Sequence, residues 1–277
     1  MEAPIQSNTR MRYIPKSVLF CVVFTGLLVL FSFVKGFLPH SFERLTHGLI
    51  GTLAAFLATV LFLKFDRKKF SDIGLTIEGT TLIKFFAGVV TGVVIMGLLV
   101  MMVMYLTHAE IEVNPRSNFW HFLLVTIPLI PLAFMEELGF RAYPLEILKE
   151  RIGIRLSIVI TSLLFALYHM ANGWTMASSF YGPGVWGLVF GLAAIYSRGI
   201  ALPTGIHYAA NLTTSAFGAA GNTLSIWTIK QTTTPNYGGI DWVTVLPVVA
   251  LLVFAVLCVE VYMRRKTTAG SALAEAG

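Results

Sequence analysis

An all-α bundle of about eight membrane-spanning helices is the fold that the sequence predicts, from its composition and from recurrent apolar runs of about 20 residues. Of the 277 residues 56% are hydrophobic and only 12% are charged, with a mean hydropathy of +0.77, whereas soluble domains carry about 25% charged residues. Each run is long enough, or nearly so, to cross roughly 30 Å of hydrocarbon. An ordinary soluble protein is excluded. The net charge of +6 and pI near 9.4 come from basic clusters between apolar runs, so they read as topology signals and not as a nucleic-acid surface.

The first run, 17–34, follows Arg10, Arg12 and Lys16. It is too long for a signal-peptide core and lacks a small-x-small cleavage site, so it reads as a retained helix. Further spans are expected at 45–63, 82–106, 119–135, 156–170, 184–196, 202–217 and 243–263, the sixth and seventh being short. Threading them with the N-terminus inside puts sixteen Lys and Arg residues at or near the cytoplasm, Arg141 among them, and leaves Lys35, Arg44, Arg116 and Lys230 outside. That asymmetry predicts an integral protein, of the plasma membrane, with both termini cytoplasmic. Cys21 and Cys258 fall within apolar runs and offer neither a disulfide framework nor a thiolate metal site. Residues 218–241 read as a polar loop, and the tail after Lys266 as disordered.

Ionisable groups inside a membrane cost about 2.5 to 3.5 kcal/mol each on insertion scales, which makes them functional candidates. The fourth run ends in PLAFMEELGFR, carrying Glu136, Glu137 and Arg141; the fifth holds Phe165 and His169, and the seventh His207 and Asn211. Glu137 and Arg141, four apart with the acid first, suit an ion pair on one helix face, which leaves Glu136 as the freer base. Phe165 and His169 share a face, as do His207 and Asn211. Each cluster alone is also compatible with an interfacial charge group or with helix-packing polar contacts. Together they supply a carboxylate, two imidazoles and a carboxamide, a set able to activate water and stabilise an oxyanion. As drawn, however, Glu136 and His169 sit at opposite ends of their spans. Pro128 and Pro131 should kink the fourth helix beside a hydrated pocket. Gly184, Gly187 and Gly191 suit close helix packing. His40, His47, His108 and His121 read as interfacial.

In this order and spacing, Glu-Glu-x-x-x-Arg, Phe-x-x-x-His and His-x-x-x-Asn on three apolar segments resemble the CAAX protease and bacteriocin-processing (Abi) family of intramembrane proteases. The resemblance spans about 119–217 and includes IYSRGIALPTGIH at 195–207. It implies eight helices around a cavity opening towards the cytoplasm and the membrane, with cleavage of a membrane-associated peptide, either CAAX-type or a leader. By the same resemblance Glu136 and His169 would activate water, His207 and Asn211 would form the oxyanion hole, and Glu137, Arg141 and Phe165 would support them. The chain then divides into N-terminal helices at 1–118, a catalytic core at 119–217, and a loop, last helix and tail at 218–277. The family is often described as metalloproteases, so Glu136, His169 and His207 are candidate zinc ligands. With no His-Glu-x-x-His helix the zinc question stays open beside a metal-free glutamate mechanism. Two other functions compete: a transporter or channel using Glu136, His169 and His207 as an ion pathway, and a catalytically silent immunity or scaffold protein. The implied partners are the bilayer and a membrane-associated peptide.

Overall fold

The computed structural model describes residues 13–37, 39, 42–218, 225–230, 236–237 and 240–275, so Arg10, Arg12, His40 and part of the 218–241 loop lie outside it. Its helices are α1 (Tyr13–Ser32), α2 (Glu43–Asp66), α3 (Thr81–Thr107), α4 (Phe119–Thr126), α5 (Leu129–Glu137), α6 (Tyr143–Ile152), α7 (Ile154–Ala171), α8 (Met176–Ser179), α9 (Val185–Ser197), α10 (Ala201–Ala216) and α11 (Trp242–Glu275). Residues Leu138–Ala142 and Phe180–Gly184 form π turns, which join α5 to α6 and α8 to α9. Among the described residues seven segments are long and apolar enough to cross a membrane. The expected span not among them is the seventh, α10, only 16 residues long.

The length of α10 follows from its position. Pro203, Thr204, Gly205, Ile206, His207, Ala209 and Ala210 are all buried in protein, and a helix surrounded by other helices need not match the bilayer thickness. Its contact with α3 is close enough to be backbone on backbone. A Cβ added at Gly88 would lie 2.2 Å from the Leu202 carbonyl oxygen, and one at Gly205 would lie 2.1 Å from that of Phe85. Small residues are what permit such an approach in a membrane, and the contact fixes the helix that carries His207. The other face of α3 meets lipid through exposed Leu82, Phe86, Val90, Val94, Leu98 and Met101.

Three expectations change. The fourth span is one 34-residue crossing, Phe119–Ile152, not 119–135. It breaks between Thr126 and Leu129, beside Pro128, and passes through a π turn after Glu137. The tail after Lys266 is helical, since α11 continues to Glu275. Within the expected 218–241 loop, β2 (Trp227–Lys230) pairs antiparallel with β1 (Glu110–Val113), Glu110 opposite Lys230; β3 (Asn236–Tyr237) and β4 (Ile240–Asp241) make a second small pair.

The helix ends sort by charge. At one end the starts of α1, α3 and α7 meet the ends of α2, α6, α9 and α11, tied by Lys16–Asp66, Lys68–Glu150 and Arg155–Glu260 ion pairs. This basic end carries Lys16, Lys64, Arg67, Lys68, Lys69, Lys84, Lys149, Arg151, Arg155, Arg198, Arg264, Arg265 and Lys266 among the described residues, against Lys35, Arg44, Arg116 and Lys230 at the other. Between the ends lies an aromatic core. Phe20 stacks on Tyr143 at 5.0 Å, Phe24 on Tyr168 at 5.8 Å, and Phe140 tilts against Phe165 at 5.1 Å.

Candidate active site

The extended fourth span removes the mismatch between Glu136 and His169. Glu136 stands sixteen residues before the end of α6 and His169 fifteen after the start of α7, which at 1.5 Å per residue is about 24 Å and about 22 Å from a shared turn at Gly153. The two residues are therefore level. The kink at Pro128, expected from sequence, lies eight residues before Glu136 and nine before Glu137, and α2 holds that segment by glycine contacts. A Cβ at Gly48 would meet the Leu132 nitrogen at 2.8 Å, and one at Gly51 would meet Met135 Sδ at 1.8 Å.

His207 is the hub. Its Nδ1 lies 2.8 Å from Glu137 Oε1 and its Nε2 3.4 Å from Glu136 Oε2, so the ring is held between the two carboxylates. Its face stacks on Phe190 at 4.5 Å, and Phe165 meets it edge-on at 6.0 Å. The sequence pairs Glu137 with Arg141 alone; the structure has it serving both partners. Glu137 Oε2 lies 3.5 Å from Arg141 Nε, an ionic contact without a hydrogen bond. Arg141 is 1% exposed, which corrects its expected place near the cytoplasmic surface. Its Nη2 donates to the Gly187 carbonyl at 3.4 Å, and its guanidinium lies 4.3 Å from the Phe165 ring centre. Phe165 thus touches His169, His207 and Arg141 together.

His169 is half-buried, one ring nitrogen 2.9 Å from the Phe165 carbonyl and its ring edge-on to Trp174 at 5.1 Å. The carbonyl contact makes Nδ1 the protonated nitrogen, and leaves Nε2 for another partner. Asn211, one turn beyond His207, is half-buried. Glu136, His169, His207 and Asn211 line a single cavity of about 840 Å³, together with Tyr168, Asn172, Trp174, Trp186 and Phe190. Gly184, Gly187 and Gly191 pack on α7, a Cβ at Gly187 falling 2.9 Å from Ser162.

Sequence reasoning missed the cavity's upper wall. Lys35, Glu43, Arg44 and His47 line it, and Lys35 Nζ hydrogen-bonds the His47 ring. His47 is therefore not simply interfacial. The only available signal was a cluster of charged residues at two adjoining span ends. This wall also settles which end of the bundle the cavity meets. Its rim, from Lys35, Arg44, Trp174 and Thr214, lies opposite the basic end, so a basic cytoplasmic end and a cavity opening to the cytoplasm do not hold together. No residue of the basic end lines the cavity, and Phe140, Arg141 and Tyr143, which precede that end, are buried.

The candidate zinc ligands do not gather as a cage. Among the described residues no three His, Cys, Asp or Glu side chains converge on a point that could hold a metal ion. Glu136 and His207 face each other, while His169 is directed to the Phe165 carbonyl and Trp174.

No curated protein matches the chain. A family model does: the one described as type II CAAX prenyl endopeptidase Rce1-like matches residues 116–213. The stretch that carries Glu136, His169, His207 and Asn211 is therefore similar to the CAAX protease and bacteriocin-processing family.

Proposed function

We propose that the protein is an intramembrane endopeptidase that hydrolyses a peptide bond of a membrane-associated substrate with a glutamate-activated water. The observation that carries this reading is the Glu137–His207–Glu136 clamp at the floor of a cavity also lined by His169 and Asn211. Both His207 nitrogens face carboxylate oxygens, which accept and cannot donate when ionised. In this reading the ring works as an imidazolium, Nδ1–H donating to Glu137 Oε1 and Nε2–H facing Glu136 Oε2 at 3.4 Å. With Arg141 beside Glu137, two negative and two positive groups then balance within a buried cluster.

The chemistry follows from that balance. Glu136 takes a proton from the attacking water, and His169 Nε2 orients that water. Once Glu136 is neutral, the His207 Nε2–H is released from it and donates to the oxyanion forming on the scissile carbonyl, beside the Asn211 amide. Glu137 keeps the ring oriented through Nδ1 and holds its charge. The proton on Glu136 then passes to the leaving amine. A transporter reading is disfavoured because, among the described residues, none of the basic end lines the cavity.

The basic end, by the preference of Lys and Arg for the cytoplasmic side, supports reading the chain as a plasma-membrane protein with both termini in the cytoplasm. The bilayer and a membrane-associated peptide, CAAX-type or a leader, are its partners. Comparing membrane peptides from cells carrying the intact protein and Glu136→Ala tests the function: a peptide trimmed only with the intact protein is expected, and identical peptide sets at equal expression would overturn it.

A metal-free route predicts that purified protein stays active after chelation and holds well under one zinc per chain. About one zinc per chain, lost in Glu136→Ala and His169→Ala and restoring chelated enzyme when added back, would replace this route with a zinc-bound water.

A further inference from the structure

We infer that the catalytic cavity is reached from the extracytoplasmic face, so that its substrate is a peptide held in the membrane with the scissile bond in the outer half of the bilayer; the identity of the substrate rests on the protease reading, the side of access does not. Two independent features point the same way. The first is charge. Among the described residues thirteen Lys and Arg side chains lie at the helix ends where α6 meets α7, and four lie at the other end. Each basic residue near a span end weights that end towards the cytoplasm, and a disparity of this size leaves one orientation.

The second is the shape of the cavity. Lys35 follows the end of α1, Arg44 opens α2, Trp174 follows α7 and Thr214 lies in the last turn of α10. All four are at the end opposite the basic one, and no residue of the basic end lines the cavity. The basic side is sealed beneath Glu137 by buried Arg141 and by Tyr143, whose hydroxyl donates to Asp66 Oδ2 at 2.7 Å. A CAAX-type tail of a cytoplasmic protein would have to cross this seal to meet Glu136, so of the two substrate types named above the leader is the one that fits this side of access. A segment anchored in the membrane or exported through it would meet the open rim directly. The rim combines Lys35 and Arg44 with the indoles of Trp174 and Trp186, groups suited to a chain that lies partly in headgroups and partly in hydrocarbon.

Single-cysteine variants decide it without any need for catalysis. Intact cells expressing Arg44→Cys, Thr214→Cys or Lys68→Cys are treated with a membrane-impermeant maleimide, then permeabilised and treated again with a second, mass-distinguishable maleimide. The expected result is that Arg44→Cys and Thr214→Cys take the first reagent and Lys68→Cys only the second. First-reagent labelling of Lys68→Cys, with Arg44→Cys and Thr214→Cys labelled only after permeabilisation, would place the cavity towards the cytoplasm and overturn the inference. The expected labelling together with an unchanged peptide set in Glu136→Ala cells would sink the protease reading and leave the side of access standing.

Discussion

His207→Ala is expected to lower peptide cleavage by about 10² to 10³-fold while the protein remains folded and inserted, the size of loss seen when one oxyanion donor is removed. The ring is the group through which the two glutamates act on the same point. Nδ1 is held by Glu137 at 2.8 Å, and Nε2 stands 3.4 Å from Glu136 at the cavity floor. Removing it takes away the oxyanion donor and leaves two carboxylates facing a vacated space. Folding survives because Glu137 keeps Arg141 as its counter-charge and because α10 is held by the Gly88 and Gly205 backbone contacts, not by the imidazole. Asn211→Ala, which disturbs neither glutamate, is the companion: a smaller loss with unchanged inhibition or binding of uncleaved peptide fits an oxyanion role. Full activity of His207→Ala at normal expression would remove His207 from the reaction.

The membrane class and most span positions were readable because they depend on composition and on run length, which are local properties. The three polar clusters were readable for the same reason: Glu137 and Arg141 at four-residue spacing, Phe165 with His169, and His207 with Asn211 each lie on one face of one helix. What joins them is not local. Glu136 reaches the level of His169 only because the fourth span continues past Arg141 to Ile152, and a run interrupted by two glutamates and an arginine looks like an end when read against a lipid background. In the bundle those charges face protein, and the π turn at Leu138–Ala142 turns Arg141 inward towards Gly187 and Phe165. π turns carry no reliable residue signature and are frequent at functional sites. The sharing of Glu137 between His207 and Arg141 is likewise a property of α5 and α10 meeting: the residue read as the partner of Arg141 also positions the His207 ring, while Glu136, read as the freer base, faces the cavity. Which way the cavity opens was hidden for a simpler reason. It depends on Lys35, Arg44 and Trp174 converging from three separate helix ends.

Arg141→Ala is expected to damage the protein more than its chemistry. The guanidinium is 1% exposed, faces Glu137 at 3.5 Å and lies over the Phe165 ring at 4.3 Å. Without it, His207 is the one basic side chain in contact with Glu136 and Glu137 among the described residues, deep in the bundle. Breaking a buried pair by removing one partner typically costs about 3 to 5 kcal/mol, a large share of the about 5 to 15 kcal/mol by which folded proteins are stable. The measurable outcome is low expression and a clearly reduced melting temperature in detergent. A double variant separates the causes. Glu137→Gln with Arg141→Met removes both charges and fills the space with an unbranched apolar chain, a change of the kind that is often neutral for stability. It should recover the melting temperature lost in Arg141→Ala. It should not recover cleavage, because a neutral amide at position 137 no longer balances the imidazolium that His207 must carry to bind the oxyanion. An Arg141→Ala protein with intact thermal stability and lost cleavage would show instead that the guanidinium serves the substrate, with the Glu137 contact incidental to folding.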